Sequence, residues 1–258
     1  MNQSELAICL SKMKFLLYAF VYCLTSCVGA SRINLPPYLK PCSISSPDFE
    51  ACCLQHGRDA LPMILKGDKK LGIPNLLPLV VPHILVDAGK NLKIAFEDIH
   101  VFGLDGIDLK QVKIDIKTRK ATLKLDVPQL ELIGKYEVDG KLLVLPIKGK
   151  GDVNMTAIGG HYQYDFEFST ERINGIDHLV VLDNDVLKFE LEGAKIRLDN
   201  LFDGDKVLGE QMNTFLNDNW KDVIDELGGA VSQTVRSLGR NIASRIFKKV
   251  PYKELILD

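Results

Sequence analysis

The chain has 258 residues, with 32 lysines and arginines against 34 aspartates and glutamates, and 46% of it is apolar. That is ample for one large core or two small ones. The near balance of charge, with no basic block beyond Lys248-Lys249, excludes the electrostatic footprint of a nucleic-acid binder.

Lys12 and Lys14 precede an apolar run over residues 15–24, and Val28-Gly29-Ala30 puts small residues where a signal peptidase cuts. This predicts a secretory signal over residues 1–30 and a mature single domain over 31–258. The run is short for a membrane span of about 20 residues, which speaks against an uncleaved anchor. No other segment is apolar enough to span. The mature protein is expected to be secreted, soluble and monomeric, with no stable membrane span.

Cleavage after Ala30 would leave Cys42, Cys52 and Cys53, an odd number. One disulfide is expected in an oxidising compartment, and Cys52 and Cys53, neighbours on a helix, are poorly placed to bridge each other. Cys53 reads as a buried apolar thiol or a handle for intermolecular pairing. No histidine is read at ligand spacing from these cysteines, so neither zinc nor any other metal or cofactor is expected.

Residues 33–41 are proline-rich and extended. Ser46-Pro47 reads as an N-cap with proline at the first helical position, opening a helix through Phe49, Cys53 and Ala60 that Pro62 interrupts or restarts. Residues 66–82, rich in Gly, Pro and Leu, are too apolar for a solvated loop and too broken for a long element.

Residues 92–198 read as an antiparallel meander. Apolar residues alternate with polar ones at Leu92, Ile94 and Phe96, at Val112, Ile114 and Ile116, at Leu123, Leu125 and Val127, and at Tyr162, Tyr164, Phe166 and Phe168. Turn signals fall at Asp105-Gly106, Asp139-Gly140, Gly159-Gly160, Asn174-Gly175 and Asp183-Asn184. The run Leu142-Leu143-Val144-Leu145 is apolar on both faces, which suits burial between layers. Asn154-Met155-Thr156 is a glycosylation sequon.

A last strand alternates over residues 187–192, and turn formers over 198–205 end in an N-cap at Asp205. Apolar residues then recur by threes and fours from Leu208 to Ile246, which predicts a single helix of roughly forty residues, about 60 Å long. Strands grouped together with helices at both ends define an α+β fold, the long helix lying in the concave face of a curved sheet.

The chain contains no Gly-x-Ser-x-Gly elbow, no His-Glu-x-x-His and no phosphate-binding glycine loop, and its five histidines share no spacing; it is read as a non-enzyme. Asp199, Asp203, Gly204 and Glu210 imitate a calcium loop, but Leu201 stands where a ligand is needed and a strand precedes it. A turn and an acidic helix start explain them.

Several spaced motifs carry a resemblance: Pro36-Pro37-Tyr38-Leu39-Lys40-Pro41-Cys42, a second cysteine at Cys52, Gly72-Ile73-Pro74, the segment from Asp199 to Gly209, Phe215-Leu216-Asn217-Asp218-Asn219-Trp220, and Lys249-Val250-Pro251-Tyr252. From about Leu35 to the end the chain resembles the takeout and juvenile-hormone-binding family of insects, itself similar to tubular lipid-binding proteins. The resemblance implies a highly curved antiparallel sheet wrapped around one long C-terminal helix and enclosing an apolar tunnel. It implies a Cys42–Cys52 disulfide, whose closure of a loop of about ten residues would contribute roughly 3 kcal/mol. It further implies a carrier for a small hydrophobic ligand such as a terpenoid hormone, fatty acid or similar lipid, with links to circadian output, feeding or chemosensation. Leu61, Ile64, Leu65, Ile73, Leu76, Leu79 and Val80 would line a pocket mouth, opposite Val223 and Leu227. The hormone-binding branch has a second disulfide for which this chain has no cysteines, placing it nearer takeout. From the residues alone, a solid core and a lined cavity read identically. An interaction protein with a filled core, acting through its surface on an unknown receptor, and a secreted esterase are the competing readings.

Overall fold

The computed structural model describes residues 35–87 and 92–258; the expected signal segment, residues 1–30, lies outside them. The chain opens with a two-residue strand β1 (Cys42–Ser43) and a helix α1 (Phe49–Lys66). Seven strands follow: β2 (Leu79–Asp87), β3 (Leu92–Phe102), β4 (Asp108–Asp115), β5 (Lys120–Leu142), β6 (Leu145–Ile173), β7 (Ile176–Val181) and β8 (Val186–Leu198). Helices α2 (Lys206–Asp218), α3 (Trp220–Phe247) and α4 (Tyr252–Leu255) and a short strand β9 (Ile256–Leu257) complete it. β9 pairs in parallel with β1, so the end of the chain lies beside its first described strand.

The sheet is antiparallel and of mostly consecutive strands, in the order β2-β3-β5-β6-β7, with β4 on β5 and β8 on β6. β5 and β6 run 23 and 29 residues, far beyond the usual 3–10, and strands of that length must coil. The coil has a local cause. On β5 the buried residues Tyr136, Val138 and Leu142 are even-numbered, whereas Ala121 and Val127 are odd. On β6 buried Ile147 and Val153 are odd, whereas Phe168 is even. The inward parity therefore flips near Pro128 and Gly159, a facing pair at which the otherwise unbroken ladder is interrupted. Proline has no N–H to give, and Gly159 takes φ +58, where an added Cβ would stand 2.4 Å from the Glu192 carboxylate.

This corrects two expected turns. Gly159-Gly160 bends a continuous strand, and Asp139-Gly140 lies inside β5. The true β5–β6 turn is Leu143-Val144, the run expected between layers. Leu143 adopts φ +55 and Val144 is 81% exposed.

The expected forty-residue helix is broken at Asn219, where φ −112 and ψ 27 leave the helical region and separate α2 from α3. The Asn219 side-chain amide donates to the Phe215 carbonyl (2.8 Å), competing with the backbone as such side chains do. Asp205 caps α2 as expected, accepting from the Val207 and Leu208 amides (both 3.0 Å). α1 starts at Phe49 with Asp48 at the N-cap position, two residues beyond the expected Ser46, and passes through Pro62 without ending.

α2 and α3 run beside the free edge of β8, and their side chains complete its ladder. The Asn213 amide accepts from Leu198 N–H and donates to Leu198 C=O (both 2.9 Å). Asn217 does the same to Ile196, at 3.0 and 2.7 Å. Four residues of helix rise about 6 Å and two residues of strand about 6.6 Å, so the two ladders keep step. Farther on, Ser232 Oγ donates to Leu187 C=O (3.1 Å) and Arg236 to Asp185 C=O (2.5 Å).

Replacing Asn217 by Ala strips both Ile196 backbone groups of their partner, at a cost of about 2–3 kcal/mol. A melting temperature lower by roughly 5–10 °C is expected for a domain of this size. Hydrogen exchange at the Ile196 amide should accelerate in step; unchanged protection there would refute the edge-capping role.

Candidate ligand-binding site

Among the described residues, buried apolar side chains form three clusters rather than one contiguous core. The first joins β2, β3, β5 and β6 to Met212, Leu216 and Val223. The second gathers Leu71, Ile73 and Val250 with Ile64, Ile242 and Ile246, and the third joins Ala121, Phe168 and Leu179 to Phe247 and Tyr252. The middle of α3 spans the interval between the first and the other two.

There the packing is thin. Val223 is the one fully buried residue among the 28 of α3. Its inward apolar positions Leu227, Ala230 and Leu238 touch the first cluster but stay partly accessible. Val231 and Val235, on the same stripe, are exposed. A helix lying on a filled core buries its stripe; this one leaves most of its stripe partly accessible.

The sheet presents aromatic residues to that space. Tyr162 stacks on Phe189 (centroids 6.0 Å apart) and Tyr164 on Phe166 (5.2 Å). A Cβ built on Gly228 would come within 3.9 Å of the Phe189 ring, which places mid-α3 directly over this row. Burial alone pushes the Tyr162 hydroxyl pKa up, yet the residue keeps accessible surface and its hydroxyl has no hydrogen-bond partner among the described residues.

At the β7–β8 turn, Asp185 has a fully buried carboxylate that accepts from Tyr164 Oη (2.6 Å). Arg236 and Arg240, one turn apart on α3, approach the same carboxylate at 3.3 and 3.2 Å. Burial, then the bond to Asp185, raises the Tyr164 pKa. Sequence reading missed this cluster because Asp183-Asn184-Asp185 looks like any polar turn. Its one advance signal is the i, i+4 arginine pair on a helix otherwise patterned for burial.

The residues expected to line the pocket fall in different places. Leu61 and Leu65 border a small cleft of about 180 Å³ shared with Arg58, Leu77, Ile107 and Leu109, beside β4. Ile64 and Ile73 belong to the second cluster, against Ile242 and Ile246. Leu76 is buried, and its amide donates to Leu65 C=O (2.8 Å). Leu79 packs on the first cluster with Val223 and Leu227, whereas Val80, its neighbour in a strand, points outward and is 46% exposed. Asn154 stands exposed in mid-strand on the outer face, its amide donating to Glu131 (3.0 Å).

Cys42 and Cys52 form a disulfide with Cα atoms 6.0 Å apart. The expectation that no histidine lies at ligand spacing from these cysteines fails: His56, four residues beyond Cys52, puts Nδ1 3.2 Å from Cys42 Sγ and 3.5 Å from Cys52 Sγ. The three side chains have ligand-type atoms within 4.8 Å of one another. With both sulfurs bonded to each other, neither is a thiolate, and the donor set does not suit a metal. Nδ1 also lies 3.2 Å from Lys40 C=O, an acceptor for the ring N–H.

A curled half-barrel sheet spanned by a long C-terminal helix over a thinly packed apolar interior is the takeout fold. The crystal structure of Epiphyas postvittana Takeout 1 matches with a TM-score of 0.76 and 26% identity, over 85% of this chain and 100% of that one. The chain belongs to the haemolymph juvenile hormone binding protein family, whose sequence profile it matches over residues 19–257. That is a family of carriers of small hydrophobic ligands. Circadian clock-controlled protein daywake of Drosophila yakuba is 27% identical over 239 residues, 88% of this chain and 90% of that protein. Daywake of Drosophila melanogaster is 26% identical over 251 residues, 93% and 95% of the two chains.

Cys53 is a free, half-buried thiol whose pKa is raised by burial first and by the Glu50 carboxylate second. Less of it is thiolate at neutral pH than of an exposed cysteine, so iodoacetamide should alkylate it more slowly than glutathione at pH 7.5. Glu50→Gln should speed the reaction, and a rate equal to that of the free thiol would contradict the assigned environment.

Proposed function

We propose that this protein is a secreted, non-enzymatic carrier that holds a small hydrophobic ligand between the middle of α3 and the aromatic row of β6 and β8. The observation that carries this reading is the apolar face of α3, which crosses the sheet with a single fully buried residue. Leu227 on the helix and Tyr162 and Phe189 on the sheet are the walls. Burying about 300 Å² of apolar ligand at roughly 25 cal/mol/Å² offers about 7–8 kcal/mol before association costs, so micromolar affinity, about 8 kcal/mol net, requires a larger buried area or added polar contacts.

Membership in a carrier family supports the reading. The ligand class is a terpenoid, fatty acid or similar lipid. The daywake relatives support a role in circadian output; the Cys42–Cys52 disulfide suits an oxidising, extracellular setting. In this proposal the mature unit is the single domain 31–258, and Asn154, exposed on the outer face, carries a glycan.

Leu227→Trp fills the space under α3 at a partly buried position. It should weaken binding of N-phenyl-1-naphthylamine by about tenfold or more, in fluorescence titration, while the melting temperature moves by less than about 4 °C. Wild-type affinity in a folded Leu227→Trp protein would refute this placement of the ligand.

A further inference from the structure

Toward the β5–β6 turn, the outer face of the sheet is paired by charge. Asp139 stands opposite Lys148, Glu137 opposite Lys150 and Lys135 opposite Asp152, and the last two are ion pairs. The next row in the same register breaks the pattern, because Ile133 faces Asn154. Across β3 and β2 that row continues into His100 and Val80. Phe102, on the outer face one row further, stacks on His100 with ring centroids 6.5 Å apart. Phe102 and Ile133 are each 40% exposed, and Val80 more so. Three large apolar side chains thus share one outward patch with Asn154, the only glycosylation sequon in residues 31–258.

Scattered apolar residues on a surface are ordinary, but these lie abreast and mark something that covers them. Residues directly opposite on neighbouring strands have Cβ atoms about 5 Å apart, and diagonal neighbours about 7–8 Å. Asn154 is therefore in contact range of Ile133 and about two strand spacings, roughly 10 Å, from Phe102. Its side chain already turns that way. Asn154 Nδ2, the atom that bears an N-linked glycan, donates to Glu131 (3.0 Å), and Glu131 is the residue opposite Phe102. On the other flank its neighbour Arg197 is held by Asp199 and Glu210.

We propose that the Asn154 glycan lies along the outer face and roofs this patch, its first sugars covering Ile133 and Phe102. The proposal rests on the secreted reading and on the glycan assigned to Asn154 there, and it adds what that glycan does. Transfer of the oligosaccharide from a lipid diphosphate donor joins Nδ2 to the anomeric carbon, breaks that carbon's bond to the diphosphate and releases one amide proton. The N–H that stays on the nitrogen keeps Glu131 as its partner and holds the first sugar on the Ile133 side. A pyranose ring is about as wide as one strand spacing, roughly 5 Å, so two sugars reach from Ile133 to Phe102. The C–H faces of the sugars meet the apolar side chains and the electron-rich face of the Phe102 ring, while their hydroxyls stay in water.

The test is a double-mutant cycle on the full chain secreted from human cells. It compares wild type, Asn154→Gln, a patch variant carrying Phe102→Ser with Ile133→Thr, and the patch variant with Asn154→Gln. Intact mass reports occupancy of the site. Loss of the glycan should lower the melting temperature by about 2–4 °C in the wild-type background and by less than about 1 °C in the patch variant. A wild-type mass without glycan overturns this proposal together with the glycan assigned above, and leaves the carrier reading standing. An occupied site whose loss costs the same in both backgrounds overturns the roof alone. Self-association of the glycosylated wild type that the patch variant abolishes overturns it too, and makes the patch a contact between copies of this chain. Should Asn154→Gln not be secreted, peptide N-glycosidase treatment of the folded wild type and patch variant completes the same cycle, since the aspartate it leaves is common to both.

Discussion

The open edge of β8 is the constraint on which the rest of this structure depends. A sheet that curls without closing leaves an edge strand with unpaired N–H and C=O groups, and buried groups of that kind must find partners. Here they find asparagine side chains. Each carboxamide of Asn213 and Asn217 presents the donor and acceptor that a neighbouring strand would have presented. The helix thereby completes the sheet, and it does so at fixed register, because each amide fits only one residue's pair of groups. Ser232 and Arg236 continue the seam on the far side of the bend. Polar bonds along one flank thus hold α3 in place, and its apolar stripe is not required to fill the interior.

That division of labour explains how a helix so sparsely buried stays put. Held by its edge contacts and anchored at its ends by Val223 and by Phe247, α3 spans the interval between packed clusters. The sheet contributes through the bend at Pro128 and Gly159, which turns opposite parities of the same strands toward one interior. Without that flip, Tyr162 and Phe168 would face the side opposite Ile147 and Val153, and no common lining would exist.

Much of this was legible in the sequence, for reasons that can be traced. Period-two alternation at 92–96 and 162–168 and the Asp205 cap reported strands and a helix start because local burial and hydrogen bonding set them. The α+β architecture followed from the grouping of these elements. Long-range features were opaque. Gly159-Gly160 has the composition of a turn, and only its partner Pro128 thirty residues away makes it a bend. Leu142 to Leu145 is apolar because the tip of the hairpin leans on α3, with Leu143 N–H donating to Glu226 (2.7 Å), and no period encodes that. Asn217 and Asn219 broke an otherwise smooth helical pattern for reasons that lie on β8 and in the local backbone. The lining was hardest, because a leucine that borders a void and one that fills a core are the same letter; Ile64 and Leu227, both partly accessible, sit in separate clusters.

The seam along β8 also sets an order on biosynthesis. A ribosome delivers all seven strands before it has made Asn213, and β1 before its partner β9. For the time needed to translate the last quarter of the chain, the nascent protein is a curled sheet with a bare apolar hollow and an unguarded edge. At roughly 5–20 residues per second that interval lasts a few seconds, long enough for neighbouring nascent chains to join edge to edge. The asparagines that finish the fold are therefore also what ends its period of greatest exposure to self-association.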